Sequence, residues 1–208
     1  MPNELSLSDK DRKRSSLYVN FIDILFAVVL AQSFVFLSSQ EGITTWIASP
    51  SENIVTIANT ILAYTLVITS WVGYHTSTEQ LPIKHVLRFV IDIILLMLYY
   101  MAFANVRSFA NLLIIMCSVF VLYTFWTLIR VFEYPQNIVA LYGLKRRVIQ
   151  AAVFASIFLI FIMIRSIASD PTLEGVLLVC TFITLIAYRV RVWKGPQPQT
   201  QQKADQGV

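Results

Sequence analysis

The chain has 208 residues, of which 57% are hydrophobic and only 13% are charged. A soluble domain of this length carries about twice that charged fraction, so the composition excludes an ordinary soluble globular protein. The formal net charge of +4 does not call for a nucleic-acid partner. The basic residues stand at the ends of apolar segments, where they are expected to anchor the topology and meet anionic lipid headgroups.

Six apolar segments are each long enough to form a membrane-spanning helix of roughly 20 residues. We therefore predict an all-α polytopic membrane protein with six transmembrane helices. The predicted spans are Leu17–Ser38, Asn53–Tyr74, Val86–Val106, Phe109–Val131, Arg147–Ala168 and Leu173–Trp193. Only Arg107 and Ser108 separate the third span from the fourth, which leaves a fused hairpin or a re-entrant pair as the alternative there. The predicted organisation is a polar basic tail over 1–16, a transmembrane domain over 17–193 and a disordered polar tail over 194–208.

The basic residues are distributed unevenly between the two sides of this six-span topology. Fourteen of the sixteen Lys and Arg residues share the side of the two tails, and only Arg107 and Arg165 fall on the other side. Cytoplasmic loops carry such an excess of positive charge, so we predict that both termini are cytoplasmic. The expected location is the cell or inner membrane, with an endolysosomal membrane as the alternative.

Motifs of catalysis and metal binding are missing from the sequence. There is no P-loop, nucleophile elbow or Gly-rich nucleotide turn, and His75 and His85 do not have the spacing of a zinc motif. Cys117 and Cys180 lie within two different predicted spans and are typical of small apolar packing residues. We therefore expect no enzymatic activity, no metal and no cofactor. The expected partners are the lipid bilayer and monovalent cations.

Two aspartates stand inside apolar spans in closely similar local sequence. Asp23 lies in Phe21-Ile22-Asp23-Ile24, and Asp92 lies in Val90-Ile91-Asp92-Ile93. A charged side chain at the bilayer centre costs roughly 2.5–3.5 kcal/mol on insertion scales, so an intramembrane acid usually faces protein or water. Either an ancestral helix pair repeated in the chain or chance accounts for the similarity.

The two aspartates belong to a layer of polar residues near the predicted cytoplasmic boundary. Its members are Asn20, Asp23, Trp71, His75, Arg88 and Asp92. One interpretation is a buried network that locks three helices or responds to protonation through His75. The other is a local ion pair between Arg88 and Asp92, four residues apart on one helix face, with Trp71 in the aromatic belt. We favour the local pair for Arg88 and Asp92, and the network for Asp23, which has no basic residue within reach on its own helix.

The first span carries a second polar face. Val28, Gln32 and Val35 share a stripe whose centre is turned roughly 110–120° from that of Asp23. A single amide at mid-membrane commonly forms a hydrogen bond between helices. In a tetramer or larger ring of copies around the first helix, however, the same three side chains would line the axis, where apolar rings can gate by dewetting.

Two motifs resemble the transmembrane protein 175 family of potassium-selective channels from endolysosomes and prokaryotes. Phe21-Ile22-Asp23 is similar to the family's Phe-Ser-Asp signature, and the stretch from Trp71 to His75 is similar to its Trp-x-x-His-His at the end of the second helix. This chain has Ile22 in place of the serine, Tyr74 in place of the first histidine, and Leu17 in place of an arginine that precedes the signature in the family.

The resemblance implies a homotetramer in which the first helix lines the pore and an apolar constriction gates it. It assigns the network role to Asp23, Trp71 and His75, and it brings Val28, Gln32 and Val35 to the pore. We therefore expect a homo-oligomeric cation channel, with potassium as the ion. The alternatives are a non-conducting anchor, scaffold or sensor module and a small proton- or cation-coupled transporter that uses Asp23 and Asp92.

Overall fold

The computed structural model of the chain describes residues 9–39, 46, 48–80, 83, 85–134, 138–167 and 170–193. Within these residues it has six long helices, α1 (Asp9–Ser39), α2 (Pro50–Gln80), α3 (Val86–Ala104), α4 (Phe109–Glu133), α5 (Ile138–Ile167) and α6 (Pro171–Trp193). Each is long and apolar enough to cross a bilayer, so the prediction of an all-helical chain with six helices able to span a membrane is confirmed for the described residues. That both termini are cytoplasmic stays a prediction.

The third and fourth segments are separate helices rather than one fused hairpin. α3 ends at Ala104, and a turn at residues 105–107 precedes Ser108. The Ser108 Oγ accepts a hydrogen bond from the Asn111 backbone N–H at 3.4 Å, so Ser108 is the N-cap of α4. A serine between two apolar runs is therefore enough to start a new helix here.

The first and fifth helices begin earlier than the sequence predicts. α1 starts at Asp9, within the stretch predicted as a polar tail, and α5 starts at Ile138 rather than at Arg147. Apolar length identifies the part of a helix that crosses the membrane, but the backbone hydrogen bonds continue through the flanking residues, which are polar at the start of α1 and mostly apolar at 138–146 of α5. The predicted tail at 194–208 lies outside the described residues.

Aromatic side chains form much of the core between α4, α5 and α6. Phe120 on α4 contacts Phe158 on α5, with 5.1 Å between ring centroids, and Tyr188 on α6, with 4.8 Å. On the other side of the bundle, Tyr18 of α1 stacks on Phe89 of α3 at 4.6 Å. Such pairs add roughly 0.5–1.5 kcal/mol each beyond the area that they bury.

α1 buries one face and leaves the other uncovered. Ile22, Phe26 and Val29 are buried against the bundle. The opposite side of the helix is exposed, and we call it the uncovered face of α1; its members include Ile24, Ala27, Val28, Ala31, Gln32 and Val35. In a bilayer this face contacts either lipid or another protein surface.

Two hydrogen bonds from the α2–α3 connection gather polar groups at one end of the bundle. The Ile83 backbone N–H donates to Ser15 Oγ at 3.1 Å, near the start of α1. The His85 backbone N–H donates to Glu133 Oε1 at 2.9 Å, at the end of α4. We call this the polar end; it contains the starts of α1, α3 and α5 and the ends of α2, α4 and α6.

Candidate functional site

A half-exposed cluster joins α1 to α2 near the polar end. Asp23 Oδ1 accepts a hydrogen bond from Trp71 Nε1 at 3.1 Å and lies 2.7 Å from His75 Nε2. Trp71 and His75 are one turn apart on α2, so both side chains reach the same carboxylate, and their rings meet edge to face at 5.3 Å. The structure thus brings together three of the residues singled out in the sequence, and we call them the surface cluster.

The surface cluster is only partly covered by its own chain. The side chains of Asp23 and His75 are 33% and 32% exposed, and Trp71 is exposed as well. Asn20, predicted as a member of the same layer, is exposed on α1. A carboxylate in this position faces the surroundings of the chain, which in a membrane means lipid, trapped water or another protein.

The three predicted pore residues lie on the uncovered face of α1. Val28, Gln32 and Val35 are all exposed. Gln32 and Val35 also border a groove of about 150 Å³ between α1 and α3, whose far wall includes Tyr100. Their position at the surface of one copy is compatible with a conduit between copies, and that role stays a prediction.

Arg88 forms an ion pair that the sequence did not predict. Its Nη1 lies 3.0 Å from Glu133 Oε2 on α4, and both side chains are 0% exposed. The pair of Arg88 with Asp92 that the sequence predicts stays a prediction. The spacing of four residues places the two side chains on one helix face, and the Arg88 guanidinium also reaches across to the carboxylate that α4 presents at the polar end.

The residues of the predicted polar layer fall into two groups. The surface cluster occupies the α1–α2 edge, whereas Arg88 and Asp92 are buried among α3 and α4. Tyr74 stands between them: its ring is edge-on to His75 at 6.0 Å, and it lines the same cavity as Asp92. A bulky, nearly buried tyrosine next to the histidine therefore divides the two aspartates.

That cavity has a strongly charged lining. It has a volume of about 80 Å³ and is partly open rather than sealed. We call it the arginine cavity, because its charged lining residues are Arg130, Arg147, Arg189 and Asp92. The rest of its polar lining is the Trp126 indole N–H and seven hydroxyl groups, from Ser70, Ser77, Tyr74, Tyr99, Tyr123, Thr127 and Tyr188.

Arg189 is held in this cavity by neutral partners. It is 7% exposed, and its Nη2 donates to Ser70 Oγ at 2.6 Å and to Tyr123 OH at 3.1 Å. The Tyr123 hydroxyl in turn donates to Ser70 Oγ at 2.5 Å and pairs with Tyr99 OH at 2.7 Å. A β-carbon added at Gly73 would lie 3.1 Å from Arg189 Nη1, so the glycine lets the guanidinium approach the α2 backbone closely.

Arg130 lies beside it with equally neutral partners. It is 1% exposed, its Nη1 donates to Ser77 Oγ, and its Nη2 donates to the Ser77 backbone carbonyl at 3.2 Å. The Trp126 ring packs between two guanidiniums, with the Arg130 carbon at 4.9 Å from the ring centroid and the Arg88 carbon at 4.4 Å. The indole face attracts both cations.

The interpretation of the basic residues as lipid anchors is therefore wrong for three of them. Arg88, Arg130 and Arg189 are buried in the bundle. Their positions near helix ends fit the charge bias of a membrane protein, but that bias does not report which way a side chain turns. A signal was present: Trp126 and Arg130 stand one turn apart on α4, a spacing that lets an indole ring and a guanidinium stack.

No family model, curated protein or solved structure matches this chain. Within the described residues there is also no group of three or more His, Cys, Asp or Glu side chains that could hold a metal ion. The surface cluster, the uncovered face of α1 and the arginine cavity are therefore the features that bear on the function.

Proposed function

We propose that the protein is a homo-oligomeric cation channel, a tetramer with potassium as its ion, in which the uncovered faces of α1 surround the conduit. Val28 and Val35 form apolar rings that gate by dewetting, and Gln32 places an amide between them. The single observation that carries the proposal is the half exposure of the Asp23 carboxylate beside this apolar face.

The exposure of that carboxylate favours a neighbouring copy over lipid. Asp23 has two hydrogen-bonding partners on its own chain, yet a third of its side chain has nothing over it. Leaving a charged group against hydrocarbon is costly. Covering α1 with the same helix of other copies protects the carboxylate and also removes the apolar uncovered face from lipid.

The charge of the arginine cavity makes a cation path through the interior of a single copy unfavourable. Its charged lining among the described residues is three guanidiniums and one carboxylate, and this surplus of positive charge repels cations. A cation path is therefore expected between copies, where the uncovered face of α1 offers no basic side chain over residues 20–38.

Flux in proteoliposomes tests this function. The purified chain should carry potassium down a gradient without any counter-substrate, and Val28→Asn should raise the flux by wetting the constriction. Val153→Asn, at an exposed position of α5, is the matched control and should leave the flux unchanged.

The alternatives give different outcomes in the same assay. A non-conducting scaffold shows no flux with any variant. A coupled transporter shows flux that requires a proton or second ion gradient and disappears in Asp23→Asn and Asp92→Asn while both variants remain folded. Either outcome would contradict the channel.

A further inference from the structure

We propose that the arginine cavity binds an oxyanion of the phosphate class, either the phosphodiester headgroup of an anionic lipid or free inorganic phosphate. This ligand would bind in the interior of each copy, whereas the conduit proposed above lies between copies. Binding at the cavity therefore does not require that the protein is a channel.

The charges of the cavity are unbalanced. Arg130, Arg147 and Arg189 line it with Asp92 as the one carboxylate among the described lining residues. The nearby Arg88 is paired with Glu133 and so contributes little net charge. A surplus of two positive charges remains in a space enclosed largely by apolar and aromatic side chains, where an unpaired charge is strongly unfavourable.

Several hydrogen-bond donors of the cavity also lack an acceptor among the described residues. The Nε of Arg130, the Nε of Arg189 and the hydroxyl of Tyr74 are buried without a partner among the described residues. Neither Arg130 nor Arg189 forms an ion pair with a described carboxylate. Buried donors of this kind are normally satisfied, and an oxyanion accepts from several of them at once.

The size and access of the cavity fit such a ligand. Its volume of about 80 Å³ is several times the space that one water molecule requires. Guanidinium groups match the geometry of phosphate oxygens and bind them through two parallel hydrogen bonds. Three of its lining residues, Ser77, Arg130 and Arg189, lie within about one turn of the helix ends at the polar end, and the partial opening gives a lipid phosphate or a free ion a way in.

Binding of inorganic phosphate to the full chain in neutral detergent is the first arm of the test. At constant ionic strength, titration calorimetry should show saturable binding that chloride does not reproduce. Arg189→Gln and Arg147→Gln should each weaken it about tenfold or more, the effect of losing one charged hydrogen-bonding group. Arg146→Gln, an exposed neighbour of Arg147, is the matched control and should bind as the parent does.

The second arm identifies a lipid source. After reconstitution in phosphatidylcholine containing a minor fraction of phosphatidylglycerol, native mass spectrometry should show retained phosphatidylglycerol that is lost in Arg147→Gln but not in Arg146→Gln. Arg147 is only half-buried, so its variant should fold even if Arg189→Gln does not. Binding in either arm with this pattern supports the site and names its source. Absence of both probes, or equal losses in the Arg147 and Arg146 variants, would overturn it.

Discussion

The carboxylate of Asp23 lies at the surface of the bundle and that of Asp92 lies inside it, although both stand in an apolar-Ile-Asp-Ile sequence. At the α1–α2 edge, Asp23 accepts a hydrogen bond from the neutral indole of Trp71 and lies beside the titratable imidazole of His75. Asp92 is 4% exposed and shares the arginine cavity. The same flanking residues therefore do not decide whether an acid lies at the surface or in the interior of the bundle, because that depends on the neighbouring helices.

The largest expected loss in the free energy of unfolding is at the buried ion pair of Arg88 and Glu133. Glu133→Gln removes the carboxylate that lies 3.0 Å from the fully buried Arg88 guanidinium, and removing one partner of such a pair costs roughly 3–5 kcal/mol. Glu174→Gln breaks the pair with Arg165, in which both side chains are about a quarter exposed, and should cost under about 1 kcal/mol. Denaturant unfolding in detergent measures both, and equal losses would show that the interior pair is solvated.

The two tryptophans give the next contrast. Trp126→Phe weakens the contact with two guanidiniums and leaves a gap at a buried site, so we expect a loss of about 2 kcal/mol in the free energy of unfolding. Unfolding in detergent measures it, and a loss below that of Trp71→Phe would contradict the picture of a cation-rich interior.

Replacing tryptophan by phenylalanine at the surface cluster should lower the free energy of unfolding by less. Trp71→Phe removes only the indole donor to Asp23, which is worth about 1 kcal/mol in a half-exposed position. Because the ring stays, the helix contact remains. A loss larger than that of Trp126→Phe, in the same unfolding experiment, would mean that the cluster is more buried than the structure has it.

The smallest effect on stability is expected at Gly73. Gly73→Ala should move the Arg189 guanidinium by a few tenths of an ångström, since only the end of a flexible side chain is in the way, and stability should change by less than about 1 kcal/mol. Phosphate affinity should nevertheless fall several-fold. Gly175→Ala, whose added carbon meets nothing within 4 Å, controls for the change in helix propensity and should leave phosphate affinity unchanged.

The sequence was sufficient for the helices and for the contact of Asp23 with Trp71 and His75, although it predicted a buried network and the cluster is partly exposed. Apolar length and charge bias predict six spans, and the spacing of Trp71 and His75 places both where they can reach Asp23. Those features are local, or follow from a one-turn repeat on adjacent helices.

The arginine cavity could not be predicted in the same way. Arg130, Arg189 and Glu133 come from helix ends far apart in the chain, and each alone is typical of a residue at a membrane boundary. Their inward orientation depends on which helices pack together, on the close approach that Gly73 allows, and on hydroxyls such as Ser70. Neither helix packing nor such close contacts leave a periodic pattern in the sequence from which they could be predicted.

Cross-linking between copies tests the proposed assembly most directly. In a chain with Cys117 and Cys180 replaced by alanine, Val28→Cys should form disulfide-linked dimers in native membranes under mild oxidation, because the account brings the uncovered faces of α1 together. Ile183→Cys, at a position of α6 that is also exposed, should remain monomeric. Cross-links at position 183 and none at position 28 would place α1 against lipid and contradict the account.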